Sequence, residues 1–440
     1  CPFKFFSSGN APSLKIEYRF MIRNIVFLLI LLESTVVFSQ SGTASPYSFS
    51  GLGDINFRGT QVNRFMGDLD VYNDSIHVNL NNPGAYGDLK LTTYSLGLNY
   101  RSTEMTSSTD SNEIATSSLD YISVAIPTNK FGFGFGIIPY TSVGYQLSNI
   151  DNSASPTLLN RYQGEGGVNK VFMSFGFRSF KHFTFGATLN YDFGELKYKT
   201  LKFVDGVELG TILENKSNIS GFDIKLSANV DFPFNEKLTM RGMISYAPDA
   251  KLTSNNTRIF YTQSTNSQEG NYSDIEEIDL DSRGLAKTKV NLASSLSIGT
   301  GIGQERKWFL GTQYSLTKTS GFKNNFIEIP NISYSDASKI SVGAFYIPSY
   351  ASLTSYFKRI VYRIGFRYEN TGISVNNFGL KETGVTFGLG LPLANYSNVN
   401  IGMEYGSRGT TTADLIKEKY WSIRVGFSLN DRWFVKRKYN

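Results

Sequence analysis

Residues 131–137 read Phe-Gly-Phe-Gly-Phe-Gly-Ile, a strict alternation of large apolar residues with glycine. Successive side chains of a β-strand point to opposite faces, so this stretch presents phenylalanine and isoleucine on one face and bare backbone on the other. A helix would distribute the same side chains around its axis. The alternation therefore predicts a β-strand whose apolar face contacts either lipid or the core of a soluble sandwich.

The two-faced alternation recurs along the chain, at 182–193, 221–230, 360–369, 399–405 and 421–429. Segments of about ten such residues are typical of transmembrane β-barrels, because lipid offers backbone groups no hydrogen-bond partner and only a closed sheet satisfies them. We therefore expect the polar face to look into the lumen, with Asp223, Lys225, Arg363, Arg367 and Glu369 on it. A secreted sandwich is the alternative, and it accounts poorly for long strands with so many ionic groups.

The predicted fold class is all-β: a transmembrane antiparallel β-barrel of about 14 strands with an N-terminal lumen plug, or hatch. The expected strands are 90–101, 118–127, 130–140, 168–178, 181–199, 217–230, 237–262, 285–302, 307–332, 338–347, 359–370, 384–391, 397–406 and 420–429. Alternate connections are mostly short, whereas those at 102–117, 141–167 and 263–284 are long and polar. Short turns face the periplasm in such barrels, so both ends of the barrel are expected there.

The N-terminal residues predict export. Residues 21–39 combine a basic start at Arg23, an apolar run over 25–32 and a small residue before the expected cut after Ser39, as in a secretory signal peptide. An uncleaved anchor over 25–38 is the alternative. Residues 1–20 precede Met21 and are interpreted as upstream translation. The mature chain then divides into a plug over 40–89, a barrel over 90–429 and a tail over 430–440, located in the cell outer membrane.

Composition excludes several function classes. Among 440 residues, 18% are charged, the mean hydropathy is −0.20, and the net charge of +6 becomes +4 once residues 1–39 are removed, which is too mild to indicate nucleic-acid binding. The only cysteine is Cys1, so the mature chain has no disulfide, thiolate metal site or cysteine nucleophile. His77 and His182 form no metal motif. We predict no enzyme, no metal and no cofactor; a hydrolase assembled from distant residues is the disfavoured alternative.

Residues 40–89 do not alternate like the rest of the chain. They are rich in Gly, Asn and Asp but also carry apolar residues, which favour a packed plug over a disordered lead-in. Met66-Gly67, Asp74-Ser75 and Asn82-Pro83-Gly84 precede the first strand, and a glycine-rich strand ends at Pro139-Tyr140. In this arrangement the chain resembles the FadL-type family of outer-membrane transporters for long-chain fatty acids and aromatic hydrocarbons.

The resemblance implies a fourteen-stranded barrel with an N-terminal hatch, in which apolar ligands enter from outside and leave through an opening in the wall. Asn82-Pro83 matches the Asn-Pro at the end of the family's hatch, while Gly84-Ala85 stands where the family usually has Ala-Gly. The implied hatch motif, with a structural or gating role, comprises Met66, Gly67, Asn82, Pro83 and Gly84.

A second candidate feature is the bare face of the third strand. Gly132, Gly134 and Gly136 leave this face without side chains, which suits a wall kink or a close approach of the hatch. The alternative is that these glycines only accommodate packing in the lumen.

The predicted function is a monomeric outer-membrane channel that moves hydrophobic small molecules, fatty acids or aromatic hydrocarbons, by passive diffusion. The alternative is a non-transporting barrel subunit of an outer-membrane secretion or assembly complex, which a plug too tight to move would favour. The expected partners are outer-membrane lipid, a hydrophobic small molecule, the barrel-assembly machinery during biogenesis and, for the alternative, other outer-membrane proteins.

Overall fold

The computed structural model describes residues 42–264, 272–327, 329, 331–393 and 396–433. The predicted upstream segment, the signal peptide, Gln40 and the end of the tail (434–440) lie outside the described residues. Within the described part, no helix is long and apolar enough to cross a membrane.

About two-thirds of the described chain is β-strand. The strands are β1 (Asp54–Ile55), β2 (Thr92–Thr106), β3 (Ser111–Pro127), β4 (Phe131–Asp151), β5 (Leu158–Phe180), β6 (Phe183–Val204), β7 (Leu209–Pro233), β8 (Leu238–Ala247), β9 (Ala250–Ser264), β10 (Tyr272–Glu277), β11 (Lys287–Leu292), β12 (Ser295–Gln304), β13 (Trp308–Thr317), β14 (Ile332–Tyr334), β15 (Ala337–Tyr346), β16 (Val361–Val375), β17 (Phe378–Pro392), β18 (Asn398–Arg408) and β19 (Lys417–Asp431).

The strands close into an antiparallel barrel of 14 wall strands. Each wall strand pairs with its sequence neighbours, and β19 pairs with β2 along its whole length to complete the ring. Two wall strands are interrupted: β8 continues as β9, and β11 continues as β12. The short strands β1, β10 and β14 are additions to this wall. The predicted all-β class, an antiparallel β-barrel of about 14 strands, is confirmed.

Helices are few and short. Among the described residues, one α-helical turn, α1 (Gln61–Arg64), lies in the N-terminal segment, and the 3-10 helices are Pro46–Phe49, Pro83–Asp88, Thr319–Gly321, Phe357–Arg359 and Thr412–Asp414.

The two faces of the wall differ as the alternation predicts. Phe133, Ile364 and Ile423 on the outer face are 44%, 50% and 45% exposed, whereas Arg363 and Arg367 on the inner face are buried. The apolar outer face is the surface that meets hydrocarbon, and the ionic groups are inside, where they find partners.

The wall strands differ from prediction mainly at their outer ends. Residues 102–117 and 141–167, expected as long loops, are largely strand, because β2, β3, β4 and β5 continue beyond the apolar band. Above that band the outward face is no longer uniformly apolar and the inward face carries buried apolar residues such as Val143, so the alternation that marks a strand in the sequence disappears. Conversely, β13 ends at Thr317, well before the expected 332. The Tyr140 ring lies inside the barrel, with its centre 4.1 Å from the Lys170 ammonium.

Candidate functional site

Residues 42–91, called the plug segment below, pack inside the barrel. Phe65, Met66 and Leu69 are fully buried, and Met66 and Leu69 belong to one apolar cluster with the inward wall side chains Phe309 and Phe345. Burial of apolar side chains stabilises this packing by roughly 1.5–3 kcal/mol for each large residue. Residues 42–91 thus form packed apolar clusters with the inward side chains of the wall, and these contacts define the candidate functional site.

One part of the plug segment rests directly on the backbone of β4, β5 and β6. A Cβ atom added at Gly132 or Gly134 would collide with Tyr86, and one at Gly176 would lie 2.5 Å from the carbonyl oxygen of Pro83. Gly132 pairs with Gly176, which in turn pairs with Gly186. These glycines form a flat floor because the plug backbone approaches too closely for any side chain. Gly136 lies beside this floor, facing the Phe172 ring.

A second glycine floor lies on β15 to β18. Gly343 and Gly365 face the backbone of Met66 and Gly67, while the wall glycines at 388 and 402 face the ring of Phe65. Gly67 itself has φ +70°, and a Cβ there would lie 2.6 Å from the carbonyl oxygen of Phe366. Only glycine tolerates both that backbone conformation and that proximity. Met66-Gly67 is therefore a tight turn pressed against the wall.

The predicted hatch residues around position 82 are bonded to β7. The Asn82 side chain donates to Oδ1 of Asn229 and accepts from the Ser227 hydroxyl, both at 2.7 Å. Ser227 also accepts from the backbone N–H of Gly84 at 2.7 Å. Pro83 begins the 3-10 helix that leads to the first wall strand. The motif thus bonds the end of the plug segment to the wall.

The centre of the lumen holds a network of ten ionised side chains, called the central charge network below. It contains five basic and five acidic groups and therefore has no net charge. Its members are Arg58, Arg64, Asp68, Asp120, Lys339, Arg367, Glu369, Glu382, Glu404 and Arg424.

Arg367 is the hub of this network. It lies 2.5 Å from Glu382 and 2.8 Å from Glu404, and it also faces Asp68 of the plug segment at 3.6 Å. Arg64 of the plug segment reaches the other oxygen of Glu404 at 2.7 Å. Breaking one partner out of such a buried group typically costs about 3–5 kcal/mol, because a charge is left without compensation. Displacing the plug segment would break several of these pairs at once.

Two further contacts hold the ends of the plug segment. Near its start, Arg408 of β18 contacts Asp54 and Glu418, each at 2.7 Å. Near its end, Asp88 forms an ion pair with Arg178 at the short-turn side of the barrel. Burial raises the pKa of the Asp88 carboxyl to about 6, although Arg178 opposes the shift.

The wall has a slot between β3 and β4. Their pairing covers only the stretch from Ile122 opposite Ile137 to Pro127 opposite Gly132. Above it β4 turns inward: the carbonyl of Tyr140 accepts a hydrogen bond from the backbone N–H of Asn56, and Thr141 pairs with Ile55 of β1. Residues 111–121 of β3 consequently pair only with β2 among the described strands.

Two cavities lie between this slot and the outside. The outer one, about 480 Å³, is lined mainly by aromatic and branched apolar side chains, among them Phe49, Tyr198 and Phe322. The inner one, about 160 Å³, shares Phe322 and Tyr334 with the outer cavity and reaches Tyr140 at the slot. Its floor is formed by members of the central charge network. An apolar molecule in the inner cavity would therefore have the charged side chains of the network below it and the slot between β3 and β4 beside it.

The structure brings most of the expected site residues to the plug–wall contact, although not to a single point. Sequence reasoning missed the second glycine floor and Glu382, Glu404 and Arg424. Their signal was present, since each occupies an inward position of an alternating strand.

His77 contacts Asp74 of the plug segment at 2.7 Å. No group of three or more His, Cys, Asp or Glu side chains in the described ranges could hold a metal ion.

Comparison with known proteins gives a family and a fold. The family model described as BamG matches residues 21–440. A search of curated proteins found no match.

Among solved structures, the Ralstonia pickettii toluene transporter TbuX matches with 14% identity and a TM-score of 0.55, covering 85% of this chain and 98% of that one. The Pseudomonas putida toluene transporter TodX gives 14% and 0.55, covering 86% and 99%. A Pseudomonas aeruginosa FadL homologue gives 12% and 0.53, covering 84% and 98%. At these identities the likeness concerns the fold: a FadL-like outer-membrane barrel.

Proposed function

This chain belongs to the BamG family, and on that premise we propose that it is a barrel subunit of an outer-membrane assembly complex, whose filled lumen provides rigidity rather than a passage. The family name connects it with barrel assembly. The proposal takes the second of the two functions that the sequence left open, and it assigns the barrel no catalytic step.

The observation that carries this proposal is the central charge network. A plug segment that must move during transport is expected to have weak, easily exchanged contacts with the wall. Here the plug segment contributes Arg58, Arg64 and Asp68 to a neutral buried network and rests on two glycine floors. Because buried charges cost several kcal/mol when a partner leaves, a fixed plug fits a structural role better than a gating one.

The direct test is purification from native outer membrane. A full chain with an affinity tag in the outer turn at 107–110 is extracted in mild detergent, and its co-purifying proteins are quantified by mass spectrometry. We expect a subunit of the barrel-assembly machinery at a fixed stoichiometry. A chain that purifies alone, under conditions in which a known assembly complex stays intact, would overturn the proposal.

The second candidate is a channel for hydrophobic small molecules, such as fatty acids or aromatic hydrocarbons. The pair of connected cavities that ends at the slot beside Tyr140 favours it. In this mechanism an apolar molecule would bind in the outer cavity, pass to the inner one and leave sideways through the wall, without displacing the central charge network.

Uptake into liposomes distinguishes the candidates. Ala293 lines the inner cavity, so Ala293→Trp fills it, whereas Val385→Trp places the same side chain on the outer wall as a control. For a channel, uptake of labelled toluene or oleate should fall with Ala293→Trp alone. For a structural subunit, all three proteins should give the uptake of empty liposomes.

A further inference from the structure

One connection at the short-turn end of the barrel differs from the others. The segment 347–360 between β15 and β16 is much longer than the turns at 128–130, 181–182, 234–237 and 305–307. The backbone N–H of Ser349 donates to the carbonyl of Lys358 and closes the neck of the loop, while Ile347 donates to the carbonyl of Lys307 in the neighbouring turn, each at 2.7 Å. The residues between them therefore project beyond the strand ends, on the side that short turns mark as periplasmic.

This loop exposes apolar side chains. Leu353 at its tip is 100% exposed, Phe357 is 73% exposed, and Tyr350 is 43% exposed. Phe357 lies at the base of the wall, where its carbonyl accepts a hydrogen bond from Tyr362. Leu353 has no such contact with the wall. A single exposed apolar residue is ordinary, but four on one projecting loop, with Tyr356 as the fourth, form a surface that a partner would bury.

The same loop is surrounded by positive charge. Arg306, Lys307, Lys358 and Arg359 are all exposed, and among the described residues only Arg306 has an acidic neighbour, Glu305 at 3.5 Å. The Arg306 guanidinium lies 5.1 Å from the Tyr350 ring centre. Arginine and aromatic residues together are the side chains most enriched in protein interfaces. Their complement is an apolar pocket rimmed by carboxylates.

From this surface we propose that the loop 347–360 docks an acidic periplasmic protein, with Leu353 and Phe357 entering an apolar pocket and Lys358 and Arg359 contacting carboxylates around it. The inference rests on the proposed function, because it names the surface through which the barrel joins its complex. A phospholipid surface would also accept basic and aromatic groups. The neck places Leu353 beyond the wall rather than against it, which favours a protein.

The test is site-specific photo-cross-linking in cells. Leu353 is replaced by p-benzoylphenylalanine in the full chain, with Asn129 in another short turn as the matched control position. We expect position 353 to give one dominant protein product, identified by mass spectrometry, whose cross-linked peptide carries Asp or Glu beside the attachment point. Position 129 should not give that product.

Charge reversal completes the test. K358E/R359E should reduce the product about tenfold, whereas K130E should leave it unchanged, with folding verified by heat-modifiable migration. Products containing only phospholipid, or a yield unaffected by K358E/R359E, would overturn the docking surface. If the purified chain keeps a stoichiometric partner in that case, the surface alone is wrong; if it has no partner, the proposed function fails too.

Discussion

Nη2 of Arg367 lies 2.8 Å from Oε1 of Glu404, with both side chains sealed in the centre of the barrel between the plug segment and the wall. Arg64 of the plug segment reaches the opposite oxygen of the same carboxylate. One wall glutamate is thus shared by a wall arginine and a plug arginine. Removing either arginine would leave part of the Glu404 charge buried without compensation. These shared pairings therefore hold the plug segment to the wall.

The first prediction concerns the hub of the network. Arg367→Met should lower the free energy of unfolding by about 3–5 kcal/mol, because Glu382 and Glu404 then remain buried with too little positive charge. Urea unfolding of the barrel in lipid vesicles measures this. Lys381→Met, at an exposed position, is the control and should change little.

A double variant checks the cause. Arg367→Met combined with Glu404→Gln should lose less stability than the sum of the two single changes, because the second removes a charge that the first leaves unpaired. Additive losses would show that packing, rather than charge, explains the effect of Arg367→Met.

Much of this fold could be predicted from alternation. Inward and outward faces follow from a period of two, so Arg363, Arg367 and Glu369 were expected in the lumen, where they lie. The strand number followed from counting alternating segments. The outer strand ends could not be predicted in this way, since polar and apolar residues no longer separate onto opposite faces there and the period of two vanishes.

The partners of the plug segment could not be predicted either. Arg64 and Glu404 are 340 positions apart, and alternation states only that Glu404 faces inward, not which plug residue it meets. The wall glycines at 343 and 365 were visible as small inward residues. Their role depends on the backbone of Met66-Gly67 reaching the wall, which is a property of the assembled lumen.

The second prediction concerns the first glycine floor. Gly134→Ala should displace Tyr86, because the added methyl group would overlap its ring, and should thereby increase hydrogen–deuterium exchange in residues 70–91. Gly379→Ala is the matched control: its nearest neighbour would be Ser374 Oγ at 3.7 Å. Unchanged exchange in Gly134→Ala would mean that the plug does not rest on this floor.

The third prediction concerns the hatch motif. Asn82→Ala with Pro83→Ala removes the side-chain bonds to Asn229 and Ser227, so the end of the plug segment should exchange faster and the barrel should lose about 1–3 kcal/mol of stability. Asn129→Ala, in an exposed turn, should behave like the unaltered chain. Unchanged exchange at the end of the plug segment and unchanged stability in the double variant would refute an anchoring role.

The fourth prediction is a pH dependence at the periplasmic end. The pKa of Asp88 is raised from 3.8 to about 6 in the folded chain, so the folded state holds this proton more tightly than the unfolded state. The contribution of Asp88 to the free energy of unfolding is therefore complete below about pH 4 and is lost as the pH rises through about 6. Hydrogen–deuterium exchange in residues 70–91, corrected for the intrinsic pH dependence of exchange, should increase over this pH range. Asp88→Asn should remove this increase.

The most direct test of a fixed plug is to lock it. Ile55 of β1 and Thr141 of β4 are paired across two strands beside the slot, so Ile55→Cys with Thr141→Cys can form a disulfide between plug and wall. Thr103→Cys with Ile114→Cys, which joins β2 to β3 in the wall, is the control. In cells whose only copy is the locked chain, the amount of folded outer-membrane protein is measured with and without reductant. If the plug segment need not move, the amount should be the same with and without reductant in both variants. A loss in the Ile55→Cys/Thr141→Cys chain that reductant restores, with no loss in the control, would contradict this account.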